Sequence, residues 1–276
     1  MIDMLDEIPS ACLRLYHVVD EYSAYEGQTE MIRNLIREQE QKMLAQADAV
    51  IVVSEELYRA KSQLNSHTYL VPNAVNFEAY TAALADPALP KDLETIRPPR
   101  LGYIGLISER LNLDMLHELA QDNPQWSLVL LGEERVPHQA ETWEALRALP
   151  NVHYLGAVSV ARVPAYVKGF HVGLMPYARD RQAESISPLK LYDYMAAGIP
   201  IASEDIPAVR EFASFVHVAQ PGEFDRAVRH ALADSAPSRR ETRRNAAAQH
   251  TWHTRVEELS TIIEGLLDHS SRLGGR

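Results

Sequence analysis

The sequence predicts an α/β protein built mainly on a doubly wound parallel sheet. Strand-like and helix-like runs alternate from one end of the chain to the other, as parallel sheets covered on both faces require. The 276 residues, 46% of them hydrophobic, suffice for one large core or two modest ones. No run approaches the roughly 18 apolar residues of a membrane helix, so those cores belong to a soluble protein.

The elements follow in order. Residues 14–19 read as a strand, and residues 31–47 carry Ile32, Leu35, Ile36, Met43 and Leu44 at helical spacing. Residues 49–53 form a second strand. Ser54 is a candidate cap for a helix over residues 55–65, with Glu55 and Glu56 favourably placed in its first turn. A short strand at 68–71 ends at Pro72. After a proline-rich interval come strands at 100–104, 126–131, 152–155, 171–175, 200–202 and 216–218. Helices at 112–121, 140–149, 161–168, 189–197 and 223–233 alternate with them, and one long helix over 239–267 closes the chain.

This pattern divides the chain. Residues 1–80 form a partial N-terminal α/β domain with about three strands. Residues 81–99 form a linker in which Pro87, Pro90, Pro98 and Pro99 accumulate. Residues 100–235 form a complete Rossmann-like domain, and residues 236–276 a C-terminal helix that packs back on the N-terminal part.

Charge and composition exclude several functions. With 27 Lys and Arg against 38 Asp and Glu, a net charge of −11 argues against nucleic acid as a partner. The single cysteine, Cys12, lies in an apolar run and reads as a buried small residue; a disulfide framework is excluded. The N-terminus lacks a basic flank before an apolar segment, which places the protein in the cytoplasm. Arg239, Arg240, Arg243 and Arg244 fall on one helix. A solvated face is the favoured reading, and peripheral contact with the inner face of a membrane stays open. Eleven histidines show no paired ligand spacing, so no metal site is expected.

Two segments carry chemistry. The first strand of the complete domain runs into Gly102-Tyr103-Ile104-Gly105, where a glycine beyond the carboxyl end of a parallel strand lets backbone amides approach a phosphate. No third glycine completes the dinucleotide fingerprint, so a nicotinamide or flavin cofactor is not indicated. Arg110 is the first cation after that loop. The second segment is residues 184–200. Ser187 and Pro188 are suited to open a helix at Leu189, an anion is welcome at such an end, and Gly198 closes the helix before Pro200. Lys190 and Asp193 stand three apart on one helical face, spaced to serve one ligand with Lys on phosphate and Asp on a ribose diol.

The run from Ser187 to Pro200 resembles the donor-site signature of GT-B glycosyltransferases, especially glycosyltransferase family four, in which a proline-led helix carries an acid before Ala-Ala-Gly-x-Pro. Val71-Pro72-Asn73-Ala74-Val75, Pro150-Asn151-Val152 and Val172-Gly173-Leu174-Met175-Pro176-Tyr177 extend the resemblance over nearly the whole chain. It implies a GT-B-like fold with residues 1–80 on the acceptor side, and a nucleotide sugar as donor substrate, with no cofactor or metal. Transfer with retention to a glycan, lipid or small-molecule acceptor follows from the same likeness. Carried over, it assigns Gly105, Arg110, Glu184, Ser187, Pro188, Leu189 and Lys190 to donor binding and Asp193 to the ribose, where the family has Glu. The family's other Glu, eight positions earlier, is Ser185 here with Glu184 beside it, and its basic residue directly after the loop glycine is Leu106.

His17, with Asp20, ends the first strand, where the family presents a His to the donor sugar; His17 is therefore the candidate catalytic residue. The other reading of His17 is a half-buried side chain packing beside Tyr16. Two alternatives to a transferase remain: a donor-binding fragment that works with a partner chain, and a GT-B sugar-nucleotide epimerase.

Overall fold

The computed structural model describes residues 8–9, 12–25, 27–179 and 183–273. The chain forms two compact units. One comprises Met1–Asn73, Glu184–Ser187 and Trp252–Arg276, and the other Ala74–Ala183 and Pro188–Thr251.

The first unit holds a parallel sheet of β1 (Leu15–Val18), β2 (Ala49–Val52) and β3 (Thr68–Leu70) in that order, with His17 opposite Ile51. The helix Glu30–Gln46 starts at Thr29, whose hydroxyl accepts from Ile32 N at 3.3 Å. The helix Glu55–Lys61 is capped in the same way by Ser54. Leu44 and Leu57 close over Val18, Val50 and Val52. This second helix stops at Lys61, short of Asn65, because the Asn65 amide turns back to the carbonyls of Leu44 and Ala47, both at 2.9 Å. Lys61 is buried between Glu21 and Glu40, with 2.7 Å to each carboxylate. Cys12 departs from expectation: it is exposed, since β1 begins only at Leu15 and the apolar run before it lies outside the core.

The second unit contains β4 (Arg100–Ile104), β5 (Ile107–Ser108), β6 (Ser127–Leu131), β7 (Glu134–Arg135), β8 (Val152–Gly156), β9 (Val172–Met175), β10 (Ile201–Ser203) and β11 (Val216–Val218). Six of them make one parallel sheet in the order β11-β10-β9-β4-β6-β8, while β5 and β7 pair separately. The central strands are buried along their length, as helices on both faces demand. From β4 the chain proceeds to β6 on one side, and later fills β9 and β10 on the other. The strand order therefore reverses at β4 and β9, the kind of place where open α/β sheets leave a crevice for ligands.

That crevice has a specific cause. The ladder between β4 and β9 holds for Leu101–Val172 and Gly102–Gly173. Beyond it the Tyr194 hydroxyl accepts from Ile104 N at 3.1 Å and lies 3.2 and 3.3 Å from the carbonyls of Gly102 and Leu174. The ring fits because Gly173 lacks a side chain: a Cβ there would stand 2.4 Å from Tyr194.

Two stretches differ from their sequence reading. Residues 81–99 include the end of the helix Phe77–Ala85 and a helical turn, Lys91–Glu94, that buries Leu93 in the second unit. The long final helix is two helices, Pro237–Ala247 and Trp252–Leu273. Between them the backbone pairs with Val75, whose N–H donates to His250 O at 2.9 Å, and a helix cannot spare that carbonyl.

The arginines of the Pro237–Ala247 helix are also corrected, since they do not form a solvated row. Arg243 is 1% exposed and pairs with Asp234. Arg239 reaches Asp234 and Ser214 O, and Arg244 reaches Ala196 O and the face of the Phe77 ring. Arg240 alone of the four is exposed. Among the described residues no helix is long and apolar enough to cross a membrane.

Candidate functional site

The site begins where β4 ends. Gly105 takes φ +125°, a conformation that costs an L side chain strain, and its N–H donates to Leu131 O at 2.9 Å. A Cβ on Gly105 would stand 3.4 Å from Lys190 Cε, so the loop and the start of the helix Leu189–Ala197 meet here. Lys190 donates to the Tyr177 hydroxyl at 2.6 Å and stands 4.9 and 4.7 Å from the ring centres of Tyr103 and Tyr177. Burial works against the Lys190 charge, but the two phenols more than offset it and its pKa is raised. Burial also pushes the Tyr103 phenol up to about 12, with the Lys190 and Arg110 charges pulling the other way, so Arg110 is close to the same ring. The Arg110 carbonyl accepts from Ala178 N at 2.8 Å, which ties its loop to the segment after β9.

The helix start differs from its sequence reading. Pro188, not Ser187, is the N-cap residue, and no side chain caps the helix. Its first amides therefore keep their capacity for an anion. Ser187 is engaged within the first unit, where its carbonyl accepts from Asn73 Nδ2 at 2.7 Å. The Ser185 carbonyl accepts from the Ser54 hydroxyl at 2.6 Å, Glu184 is exposed, and Leu189 is exposed at the helix tip. The helix ends at Gly198 in the left-handed conformation, as the sequence predicts.

Asp193 takes a different direction from Lys190. It lies against the phenol of Tyr80 from the helix Phe77–Ala85. Burial raises its pKa to about 6, with Tyr80 and then Lys190 pulling it down. The structure thus gathers Gly105, Lys190 and Arg110 around Tyr103 and Tyr177, while Asp193 faces the Tyr80 side. His17 stands on β1 in the first unit and is exposed, not half-buried beside Tyr16; partial desolvation of its ring lowers the pKa, so the neutral imidazole predominates at pH 7.

Sequence reading passed over Tyr103 and Tyr177 as functional side chains. It also missed Glu204, 4% exposed at the end of β10, which pairs with Arg179 at 2.6 Å. Among the described residues no three His, Cys, Asp or Glu side chains gather as a metal-binding group.

A parallel doubly wound sheet whose switch point meets a glycine loop and a cationic helix start is the architecture of the GT-B class. Residues 98–234 match the model of the family described as glycosyl transferases group 1. It is 27% identical over 243 residues to a Bacillus subtilis (strain 168) protein that carries the name teichuronic acid biosynthesis glycosyltransferase TuaH. That match covers 84% of this chain and 60% of the relative, so the chain spans about three fifths of the length of that protein. Among solved structures it resembles sucrose-phosphate synthase from Thermosynechococcus elongatus at 20% identity and a TM-score of 0.73, covering 97% of this chain and 70% of that one. The Anabaena protein HepE, solved in complex with UDP and glucose, matches at 14% identity and a TM-score of 0.69, over 91% and 71% of the two chains.

Proposed function

We propose that the protein transfers a sugar from a nucleoside diphosphate sugar to an acceptor, and that its second unit holds the diphosphate at the switch point. One observation carries this reading: Lys190, at an uncapped helix start, meets Gly105 at a loop suited to close backbone approach. Departure of the nucleoside diphosphate builds negative charge on the bridging oxygen. Lys190, Arg110 and the first amides of the helix Leu189–Ala197 supply the compensating positive charge without a metal. Retention at the anomeric carbon belongs to the same proposal. His17, being neutral, would serve by hydrogen-bonding a sugar hydroxyl rather than by offering charge. Asp193, beside the Tyr80 phenol, would take the ribose diol.

The test is calorimetry of the protein against UDP, GDP, ADP and CDP, followed by turnover of the labelled sugar nucleotide with the preferred base. Binding plus release of labelled sugar supports the transferase. Absence of binding for all four diphosphates overturns the reading. A second reading is a donor-binding module that acts with a further chain. Tight binding without any turnover would select it, and a changed sugar in the absence of acceptor would select an epimerase.

A further inference from the structure

The amino ends of β4, β9 and β10, at the opposite edge of the sheet from Gly105, surround a second cavity of about 530 Å³. Its charged lining is Arg100, Lys168, His171, Arg240 and Arg243, and no Asp or Glu lines it. In a chain with 38 acidic and 27 basic residues this is a local inversion of charge.

The topology explains how it arises. A doubly wound sheet delivers helix carboxyl ends to the amino ends of its strands, and cations collect on those carbonyls. Lys168 Nζ donates to the carbonyls of Ala83 and Asp86, at the end of the helix Phe77–Ala85. Arg100, 8% exposed, donates to Ile96 O at 2.7 Å and Gly169 O at 3.3 Å. Arg243 donates to Gly198 O at 3.3 Å, at the end of the helix Leu189–Ala197, and pairs with Asp234.

These acceptors do not balance the charge. Backbone carbonyls carry only partial charge and Asp234 is shared with Arg239, so these acceptors offset the four cations only in part. The surplus faces a cavity that also holds a defined neutral donor. His171 Nδ1 accepts from Arg100 N at 3.1 Å, which leaves the ring proton on Nε2. Leu89, Phe170 and Leu232 supply an apolar wall, and the volume suits a small organic molecule.

We propose that this cavity is a second anion site, for a small phosphate ester whose carbon skeleton rests on the apolar wall. The five residues of β4 separate it from the Gly105 loop, roughly 15 Å at the usual strand rise, so one small ester cannot fill both places. Arg240, exposed and packed by its Cγ near Gly198, is the cation best placed to be changed without disturbing the fold.

The test is calorimetric titration of the full chain with ribose 5-phosphate, inorganic phosphate and ribose in separate arms. The wild type, Arg240→Glu, His171→Phe and Lys190→Gln are compared, each checked for an unchanged melting temperature. The expected result is that ribose 5-phosphate binds the wild type and Lys190→Gln alike. Arg240→Glu should weaken it at least tenfold, free ribose should not bind, and inorganic phosphate should bind more weakly than the ester. Loss of binding in Lys190→Gln with retention in Arg240→Glu would assign the anion to the switch point and overturn the proposal. No binding of the ester, or equal affinity for inorganic phosphate, would overturn it as well.

Discussion

Lys190 is held by Tyr177 through a 2.6 Å hydrogen bond and by the faces of Tyr177 and Tyr103, all neutral partners. A carboxylate in their place would cancel the charge. Phenols and ring faces fix the ammonium while leaving it positive, which is what a site for an anion needs.

Lys190→Gln should therefore weaken nucleoside diphosphate binding by about 10- to 100-fold, matching the roughly 1.5–3 kcal/mol of a hydrogen bond to a charged group. Tyr177→Phe, which keeps the ring and loses the hydroxyl, should weaken it less. Calorimetry with the best-binding diphosphate decides, and unchanged affinity in Lys190→Gln removes the lysine from the phosphate site.

Gly105→Ala tests the loop. At φ +125° an alanine is strained by about 1–3 kcal/mol, and its methyl would touch the Lys190 side chain at ordinary contact distance. Urea denaturation should show that loss of stability, and nucleotide affinity should fall with it. A variant as stable and as tight-binding as the wild type would mean that the loop does not need this conformation.

Asp193 sets a pH dependence whose sign is fixed by its raised pKa. A carboxyl that ionises near pH 6 when folded and near 3.8 when unfolded binds more protons folded between those values. Its stabilising contribution is thus complete below pH 4 and lost as pH rises through 6, a span of about 3 kcal/mol at most. Asp193→Asn should be more stable than the wild type at pH 7, with the advantage shrinking toward pH 4, read by thermal unfolding across pH. The same variant separates two roles: weaker nucleotide binding would show the ribose contact, and unchanged affinity would leave Asp193 to Tyr80.

Tyr194→Phe should cost about 1–3 kcal/mol, because the Ile104 N–H and the Gly102 carbonyl would lose a partner in a buried place. Chemical denaturation measures it. A cost below about 0.5 kcal/mol would imply that β4 and β9 close their ladder without the hydroxyl.

The sequence shows the α/β class plainly because central parallel strands are apolar throughout and turn residues stand between them; β4 and the helix Leu189–Ala197 match their readings residue for residue. What it hides is direction. Lys190 and Asp193 are three apart, yet that offset turns one toward Tyr103 and Tyr177 and the other toward Tyr80, partners supplied by distant elements. The sequence could not say which cation the Tyr177 hydroxyl would meet. The break near His250 was invisible for a similar reason: it depends on Val75, far away in the chain. The Ser187 cap failed because Asn73, equally remote, engages that residue, its N–H donating to the Ser187 hydroxyl at 3.4 Å and its amide to the carbonyl.

The inward turn of Arg243 reaches beyond packing. A guanidinium sealed against Asp234 adds little to the field felt in solution, and with a net charge of −11 the protein would meet the proposed anionic donor as a negative particle. Capture must then rely on short-range attraction near the mouth of the crevice, and mobile ions that mask the distant repulsion should quicken encounter instead of slowing it.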